Sequence, residues 1–454
     1  MKRIIETVQN IFKIEELRSK IVNTLLFLLI YRIGAQILLP MVDPVKLQVI
    51  KNSGSLKGGI AGILDVFSGG AFSNASIFAL GVMPYITASI IVQLLGIAIP
   101  SFQKMQKEGE SGRKRLNDIT RLLTMGVAIV QGTFYLANLA QDPSKNPFSG
   151  ETGFWEYSLL ALIMMAGTMF VLWLGEKITE KGLGNGTSMI IMTGILATLP
   201  EAIINEITTK LAPGGAGSVI LVAEFIGLFF VVLIIILLVQ GTRRIPINFA
   251  KKVVGNKQYG GQRQFLPLKV NAAGVMPIIF AQAILLIPVT LFGLSDATAG
   301  LQGALTDITG VWYNIITVFM IVVFTYFYTA IYISPNQMAD DIKRNGGFIP
   351  GVKPGPPTAH YIDDIMTKIT LPGSLFLALV AILPALAMRF GITQSFSRFF
   401  GGTSLLIAIG VVLDTLQQIE SHLLNQKFDG LMKSGRIKGR SMNSDVKMIE
   451  KERA

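Results

Sequence analysis

The stretch GVMPYI, residues 81–86, lies near the start of a long apolar run, and a close copy, GVMPII, opens another such run at residues 274–279. A proline inside an apolar helix removes a backbone hydrogen bond and bends the helix, so we expect Pro84 and Pro277 to kink the two helices. The copies indicate a duplicated architecture only if they occupy equivalent places in the topology. Two ordinary proline-kinked helices without symmetry are the alternative.

The composition is that of a membrane protein. Its 454 residues are 51% hydrophobic and 15% charged, whereas soluble domains carry roughly 25% charged residues. Apolar runs of a length that crosses a hydrocarbon core of ~30 Å recur along the chain, and runs this long satisfy their backbone in lipid as helices. We therefore predict an all-α polytopic membrane protein with ten spans, at about residues 21–39, 76–99, 120–140, 155–174, 187–205, 219–240, 272–294, 312–333, 371–388 and 403–424.

The basic residues alternate with these spans. The loops on the side of the two termini hold 32 of the 40 Lys and Arg residues, and the opposite loops hold seven. Basic loops stay in the cytoplasm, so both termini are predicted to be cytoplasmic. The same bias accounts for the net charge of +12 without nucleic-acid binding.

The two hexapeptides fall in the second and seventh predicted spans, five spans apart, so a second half of five spans would be inverted relative to the first. Inverted repeats place their functional centre near the bilayer midplane. Ile86 and Ile279 approach that plane from opposite faces. The predicted organisation is a single membrane domain over 1–454, with halves at about 1–206 and 219–424 and a cytoplasmic tail at 425–454.

The segment before the second span, GGIAGILDVFSGGAFSNAS (58–76), is apolar but too short to cross a membrane. It is interrupted by Gly69 and Gly70 and carries Asp65. Irregular backbone at membrane depth is tolerated only inside protein or beside a water-filled cavity. The segment is therefore either re-entrant, dipping into a cavity from the outer side, or an amphipathic loop on the outer surface.

Signs of catalysis or ion coupling are few. The chain has no cysteine and two histidines, and it lacks a nucleotide-binding loop, a nucleophile elbow and an acidic metal motif. We expect no enzyme activity and no cofactor. The glycine-rich GLGNG at 182–186 predicts a tight cytoplasmic turn. Arg32 is the clearest charge within a span, whereas Glu224 lies near a helix end, where we expect it to reach water; this scarcity weighs against an ion-coupled carrier.

Four stretches carry a resemblance to a known family: FSGGAFSNASIFALGVMPYITASIIVQLL (67–95), ITEKGLGNGTSMII (178–191), LPLKVNAAGVMPIIFAQAIL (266–285) and FGGTSLLIAIGVVLDTLQQIE (400–420). They resemble the SecY family, the channel-forming subunits of the bacterial Sec translocase. The resemblance covers essentially the whole chain and implies two inverted five-helix halves around a central pore in the bacterial plasma (inner) membrane. It implies translocation of unfolded secretory polypeptides and lateral release of transmembrane segments. An inverted-repeat solute transporter and a poreless scaffold are the alternatives.

The resemblance also implies the working parts of the pore. It implies a re-entrant plug over about Ile60 to Asn74, which would close the outer funnel and includes Ile60, Leu64, Phe67, Gly69, Gly70 and Phe72. The resemblance also implies a ring of apolar side chains around the pore, formed by Val82, Ile86, Ile191, Ile279 and Ile407. Such a ring impedes ions by dewetting. It yields to a passing chain because apolar contacts are non-directional. The implied lateral gate, between the second and third and the seventh and eighth spans, contains Gln93, Gln131, Asn271, Pro84 and Pro277.

Two cytoplasmic loops resemble the family's docking sites for the ribosome and the SecA motor ATPase. Basic side chains suit ribosomal RNA phosphates and equally suit anionic lipids. Lys353 stands where the family usually has arginine, and it offers a point charge in place of a bidentate fork. The resemblance further implies SecE and SecG subunits, signal sequences and nascent chains as partners, and no small-molecule substrate. The predicted partner-binding residues are Arg243, Arg244, Lys251, Lys252, Lys257, Arg263 and Lys353.

Overall fold

The computed structural model of the chain describes residues 14–52, 59–140, 147–148, 153–212, 217–249, 252–254, 257–259, 263–292, 307 and 309–433. Within these ranges the helices are α1 (Glu15–Gly34), α2 (Pro44–Asn52), α3 (Gly59–Ser68), α4 (Met83–Ala98), α5 (Pro100–Lys107), α6 (Glu110–Ala140), α7 (Phe154–Lys181), α8 (Gly186–Leu211), α9 (Ser218–Gln240), α10 (Met276–Phe292), α11 (Val311–Tyr332), α12 (Pro335–Arg344), α13 (Pro356–Arg389), α14 (Gln394–Ser397) and α15 (Gly402–Lys433). The strands are β1 (Thr242–Phe249), β2 (Lys252–Val254), β3 (Lys257–Tyr259), β4 (Arg263–Lys269) and β5 (Gly347–Phe348).

Each predicted apolar run overlaps a helix, which confirms a helical multi-pass membrane fold. Seven described helices are long and apolar enough to cross a membrane, or eight if Met83–Ala98 and Pro100–Gln106, bent by 105°, form one span. The count of ten spans stays a prediction. Helices α4 and α10 have 16 and 17 residues, so at 1.5 Å per residue each is only ~24–26 Å long.

The prolines of the repeated hexapeptides begin helices instead of kinking them. Helix α4 starts at Met83 and α10 starts at Met276, so Pro84 and Pro277 are the second residues of their helices. The missing N–H of proline has no intrahelical partner to lose at that place. The expected kinks are therefore wrong, and residues 76–82, predicted as part of the second span, form turns.

The two hexapeptides nevertheless share one backbone geometry. Gly81 and Gly274 have φ angles of +53° and +63°, a region that favours glycine. The N–H groups of Ile86 and Ile279 donate to the carbonyl oxygens four residues earlier, at 3.1 and 3.3 Å. The copies are thus equivalent helix starts, which supports the predicted duplication.

The helices pack in two groups that share a centre. One apolar cluster joins α6, α7 and the segments before α2 and α4. Another joins α9, α10, α11, α13 and α15. A third cluster, which we call the central cluster, contains residues from α1, α3, α4, α8, α10 and α15, and so from both parts of the chain. The fold therefore has a shared apolar middle, and the candidate pore residues lie there.

The GLGNG sequence forms the turn that the glycines predict. It separates α7 from α8, with Gly184 at a φ of +74°. Asn185 caps α8, since its side-chain oxygen accepts from the N–H of Thr187 at 3.1 Å. The N–H of Gly184 donates to Gln418 Oε1 of α15 at 2.8 Å, which fastens the turn to the last helix.

A buried ionic cluster joins α8 to α9. Lys210 Nζ lies 2.8 Å from Glu224 Oε1 and 3.6 Å from Glu206 Oε1, and all three side chains are less than 10% exposed. Lys210 also donates to the Gly391 carbonyl at 2.9 Å, and Glu206 accepts from the N–H of Thr393 at 3.0 Å. The expectation that Glu224 reaches water is wrong, because its charge is buried against a lysine. The cluster ties α8 and α9 to the loop after α13.

We predict that Lys210→Met destabilises the fold by about 3–5 kcal/mol, because it leaves two carboxylates buried without their cation. The double variant Lys210→Met/Glu224→Leu should lose less free energy of unfolding than the single variant, because it removes one of the two carboxylates left without a cation. Thermal unfolding of the purified protein measures both. Equal losses in the two variants would show that Glu224 does not interact with Lys210.

Candidate functional site

The five predicted ring residues meet in the central cluster. Val82 immediately precedes α4, and Ile191 and Ile407 belong to α8 and α15; these three side chains are 5–6% exposed. Ile86 of α4 and Ile279 of α10 are partly buried and pack against the same cluster. Residues from four helices and one turn, spread over most of the chain, therefore contribute to one apolar cluster.

The predicted plug segment contributes to the same cluster. Helix α3 presents Val66 and Phe67, which are 4% and 6% exposed, among the central-cluster residues. Leu64 and Phe72 pack on the neighbouring cluster around α6 and α7. This burial favours the re-entrant interpretation over a loop on the outer surface. Ile60 is the second residue of α3, but its side chain lies outside the described part of the structure.

Two glycines let the end of α3 rest directly against α8. Gly69 has a φ of +67°, and a Cβ placed on it would lie 2.6 Å from the Cα of Gly194. A Cβ on Gly194 would lie 2.9 Å from the carbonyl oxygen of Phe67. Neither position accommodates a side chain without backbone movement. Gly70 has a φ of +86°, which completes the reversal of the chain after α3.

Polar side chains from other helices hold the segment through its backbone. A carbonyl at a helix end lacks an intrahelical partner and must be satisfied by another donor when buried. Arg32, the one charge that the sequence places deep in a span, supplies such a donor. The three donors are Tyr31 to the Ser68 carbonyl and Arg32 to the Gly69 carbonyl, both at 2.9 Å, and Tyr135 to the Phe72 carbonyl at 2.7 Å.

The predicted lateral gate corresponds to a mostly apolar seam between α4 and the pair α10 and α11. The Tyr328 hydroxyl of α11 donates to Gln93 Oε1 of α4 at 3.0 Å, and this hydrogen bond crosses the seam. The apolar residues of the seam are Ile86, Ile90, Leu94, Ala273, Ile279, Phe280 and Phe324. Ile86 and Ile279 belong to both the seam and the central cluster.

The polar cluster predicted at this seam is present only in part. Among the described residues, no hydrogen bond joins Gln131 or Asn271 to Gln93. Asn271 is 7% exposed, and its Oδ1 has no hydrogen-bond partner within the described part of the chain. Sequence reasoning missed Tyr328, which lies in an aromatic run without any distinguishing motif.

The two basic loops that are predicted to be cytoplasmic join in one β-sheet, which the sequence did not predict. Strand β1 pairs antiparallel with β4 of its own loop and with β5 of the other loop. Arg243, Arg244 and Arg263 are exposed on this sheet, and Arg263 Cζ lies 5.9 Å from the ring centre of exposed Phe265. Lys353 is exposed on the loop after β5.

The remaining predicted lysines of this region are only partly described. Lys252 and Lys257 lie on the paired strands β2 and β3, with side chains outside the described part. Lys251 lies outside the described residues altogether. Among the predicted residues of this sheet, the exposed arginines of β1 and β4 are therefore the ones that support a charged docking surface.

A multi-pass helical bundle with an apolar centre drawn from both parts of the chain, and with a re-entrant segment packed into it, is the architecture of a membrane channel. A SecY family profile matches residues 76–416. The chain is 41% identical to the protein translocase subunit SecY of Streptomyces scabiei, over 93% of this chain and 98% of that protein. It is 39% identical to the subunit of the same name from Mycobacterium tuberculosis, over 92% of this chain and 97% of that protein. The chain belongs to the SecY family.

Solved structures share the fold at low sequence identity. One described as a protein conducting channel is 18% identical, with a TM-score of 0.58 over 89% of this chain and 92% of that chain. Sec61 in the canine ribosome–channel complex from the endoplasmic reticulum is 17% identical, with a TM-score of 0.53 over the same shares. Membership of the SecY family together with this shared fold identifies a protein-conducting channel subunit, and these findings do not favour a solute transporter.

We predict that Gly194→Ala destabilises the protein by about 1–3 kcal/mol, because the new methyl group overpacks the contact with the Phe67 carbonyl. The matched control is Gly126→Ala in α6, where an added Cβ meets nothing within 4 Å. That control should be neutral or stabilising by up to ~1 kcal/mol. Thermal unfolding of both variants in detergent provides the measurement, and equal melting temperatures would contradict the close approach.

Proposed function

We propose that the central cluster is the seal of a passive channel that passes unfolded secretory chains outward and releases hydrophobic segments sideways into lipid. The observation that carries this proposal is that Val82, Ile86, Ile191, Ile279 and Ile407 belong to or pack against the same apolar cluster as Phe67 of α3. Apolar constrictions gate ions by dewetting. The proposed plug is α3 and the turn after it, and the two halves divide at about residues 206–219.

Apolar packing also suits a channel whose cargo has no fixed sequence. Contacts of this kind are non-directional and scale with the area removed from water. A passing polypeptide can therefore replace the contacts that Phe67 makes with the ring without any particular hydrogen bond being required. A polar or charged ring would instead favour certain cargo side chains over others.

The seam between α4 and α11 is the proposed lateral gate. It combines apolar contacts with the bond from Tyr328 to Gln93 at 3.0 Å. Polar contacts between membrane helices contribute modestly, about 0.6 kcal/mol on average. A hydrophobic signal sequence can therefore compete with this seam, since it offers an equivalent apolar surface. Gln131, Asn271, Pro84 and Pro277 are proposed to line the same gate.

The proposed location is the bacterial inner membrane with both termini in the cytoplasm, which the uneven distribution of Lys and Arg between the two sets of loops supports. SecE, SecG and the SecA motor are proposed partners because family membership implies them. The ribosome is proposed to dock on the sheet of β1, β4 and β5. Exposed Arg243, Arg244 and Arg263 support that surface, as does the ribosome-bound state of the Sec61 structure that shares this fold.

We predict that Ile86→Asn, Ile279→Asn or Ile407→Asn raises the resting ion conductance of the channel in planar bilayers. A polar side chain at the seal stabilises water there and so weakens the barrier to ions. Each variant should also export a precursor with a shortened signal sequence better than the unmodified protein does, because the closed state is weakened.

The control for these variants is Ile91→Asn on the same helix as Ile86, because Ile91 is 37% exposed and lies outside the central cluster. It should leave resting conductance unchanged. Unchanged conductance in all three ring variants, or an equal rise in the control, would remove the support for this seal.

We predict that reversing Arg243, Arg244 and Arg263 to glutamate weakens ribosome binding and lowers its dependence on salt, since fewer phosphate contacts remain. The matched control reverses three exposed cytoplasmic residues elsewhere, Arg113, Lys114 and Arg115. Sedimentation of ribosomes with the purified protein at several salt concentrations gives the comparison. If the amount of anionic lipid bound to the protein falls while ribosome binding is unchanged, the sheet is a lipid-binding surface instead.

A further inference from the structure

Arg398 reaches the proposed plug from the opposite end of the chain. It begins the short 3₁₀ turn Arg398–Phe400 in the outer loop between α13 and α15. Its Nη1 donates to the carbonyl oxygen of Gly62, in α3, at 2.9 Å. Burial lowers the pKa of Arg398, and the negative charge of Asp65 on α3 opposes that shift. The guanidinium therefore contacts the backbone of α3, and the charge of Asp65 on the same helix acts on it.

The other end of the segment is held by different helices. The carbonyl oxygens of Ser68, Gly69 and Phe72 accept hydrogen bonds from side chains of α1 and α6. Inside the segment, Asp65 Oδ1 accepts from the N–H of Ser73 at 2.8 Å, and Ser68 Oγ accepts from the N–H of Phe72 at 3.0 Å. Residues 68–73 are thus a compact turn fastened to the first half of the chain.

These two attachments differ in what they allow to move. The turn at 68–73 has three external donors on two neighbouring helices, whereas Arg398 contacts the helical part, six residues before Ser68. Breaking the contact to Gly62 removes a side-chain hydrogen bond to the helical part, so α3 can swing about the turn once its apolar contacts part, without loss of the bonds from α1 and α6. Burying an arginine is costly unless its donors are satisfied, so the closed position of α3 also stabilises Arg398 where it lies.

We propose that residues 68–73 are the pivot of the plug and that Arg398 is the latch that keeps α3 across the outer mouth of the channel. This inference rests on the proposed function, because it assigns positions within the segment that closes the channel. Arg398 is a positioning residue: it acts by holding α3 and is not part of the ring. A charge-assisted hydrogen bond is well suited to such a latch, because it is strong when formed and water can replace it.

The test uses single cysteines as reporters, since the chain contains none. Leu64→Cys reports on the helical arm, and Ser73→Cys reports on the pivot. The rate of modification by a membrane-impermeant maleimide is measured for each reporter in the full-length protein reconstituted in vesicles. The matched control is Arg389→Gln, which removes an exposed arginine of the same outer region that donates to the Thr309 carbonyl at 3.2 Å.

We expect Arg398→Gln to raise modification at position 64 about tenfold, which corresponds to ~1.4 kcal/mol, and to leave position 73 unchanged. Arg398→Lys should restore most of the protection, because lysine keeps a charged donor. Arg32→Gln should instead raise modification at position 73, and Arg389→Gln should change neither reporter.

An unchanged rate at position 64 in Arg398→Gln would overturn the latch. Equal rises at positions 64 and 73 would also overturn it, since they would indicate general loosening. If Arg398→Gln does not fold, Asp65→Asn serves instead: it keeps the acceptor for Ser73 and removes the charge that acts on Arg398. That variant should raise modification at position 64 alone, and no rise there would reject the proposal.

Conductance separates this inference from the proposed function. If Arg398→Gln exposes position 64 without changing the resting conductance, the latch stands and the segment is not the ion seal. If the ring variants leak while Arg398→Gln leaves position 64 protected, the seal stands and the latch is wrong.

Discussion

The packing of Phe67 of α3 into one apolar cluster with side chains of α4, α8 and α15 is the interaction on which the rest of this structure depends. It joins an irregular segment to helices from both parts of the chain. Irregular backbone at membrane depth is stable only when protein surrounds it, and here the central cluster supplies that surrounding. The same contact closes the middle of the molecule. Under the proposed function, the same contact is also the seal of the channel.

Directional bonds and apolar contacts have separate roles around this segment. The hydrogen bonds from Tyr31, Arg32 and Tyr135 end on backbone carbonyls, so they fix the path of the chain. The side chains of Val66 and Phe67 face the cluster and make contacts that have no preferred direction. An arrangement of this kind holds the segment at its turn, while a passing chain can replace the apolar contacts of its inner face. That is the behaviour a channel for varied polypeptides requires.

Much of the architecture could be predicted from the sequence because membrane burial leaves strong signals. Long apolar runs located the helices, whereas the orientation indicated by the uneven placement of lysine and arginine stays a prediction. The repeated hexapeptide identified Ile86 and Ile279 as equivalent positions, which the matching backbone at Gly81 and Gly274 supports. The resemblance to the family then named the residues that the structure gathers in the central cluster.

Other features could not be predicted because they depend on neighbours that are distant in sequence. A proline in an apolar run bends a helix or begins one, and only the turns at 76–82 show that Pro84 begins it. The pairing of Glu224 with Lys210 and the bond from Tyr328 to Gln93 each join separate helices. The sheet of β1, β4 and β5 likewise combines two loops, whose paired residues Asn248 and Phe348 lie about a hundred positions apart. Local patterns contain no information about such pairs.

The most direct test of the central claim is photo-crosslinking of a secretory chain arrested during translocation to probes placed singly at positions 86, 191, 279 and 407. Probes at these four positions should crosslink to the arrested chain, while a probe at the exposed residue Ile234 of α9 should not. Capture of the chain at position 234 but at none of the four central positions would contradict the account, because the polypeptide would then pass outside the apolar centre.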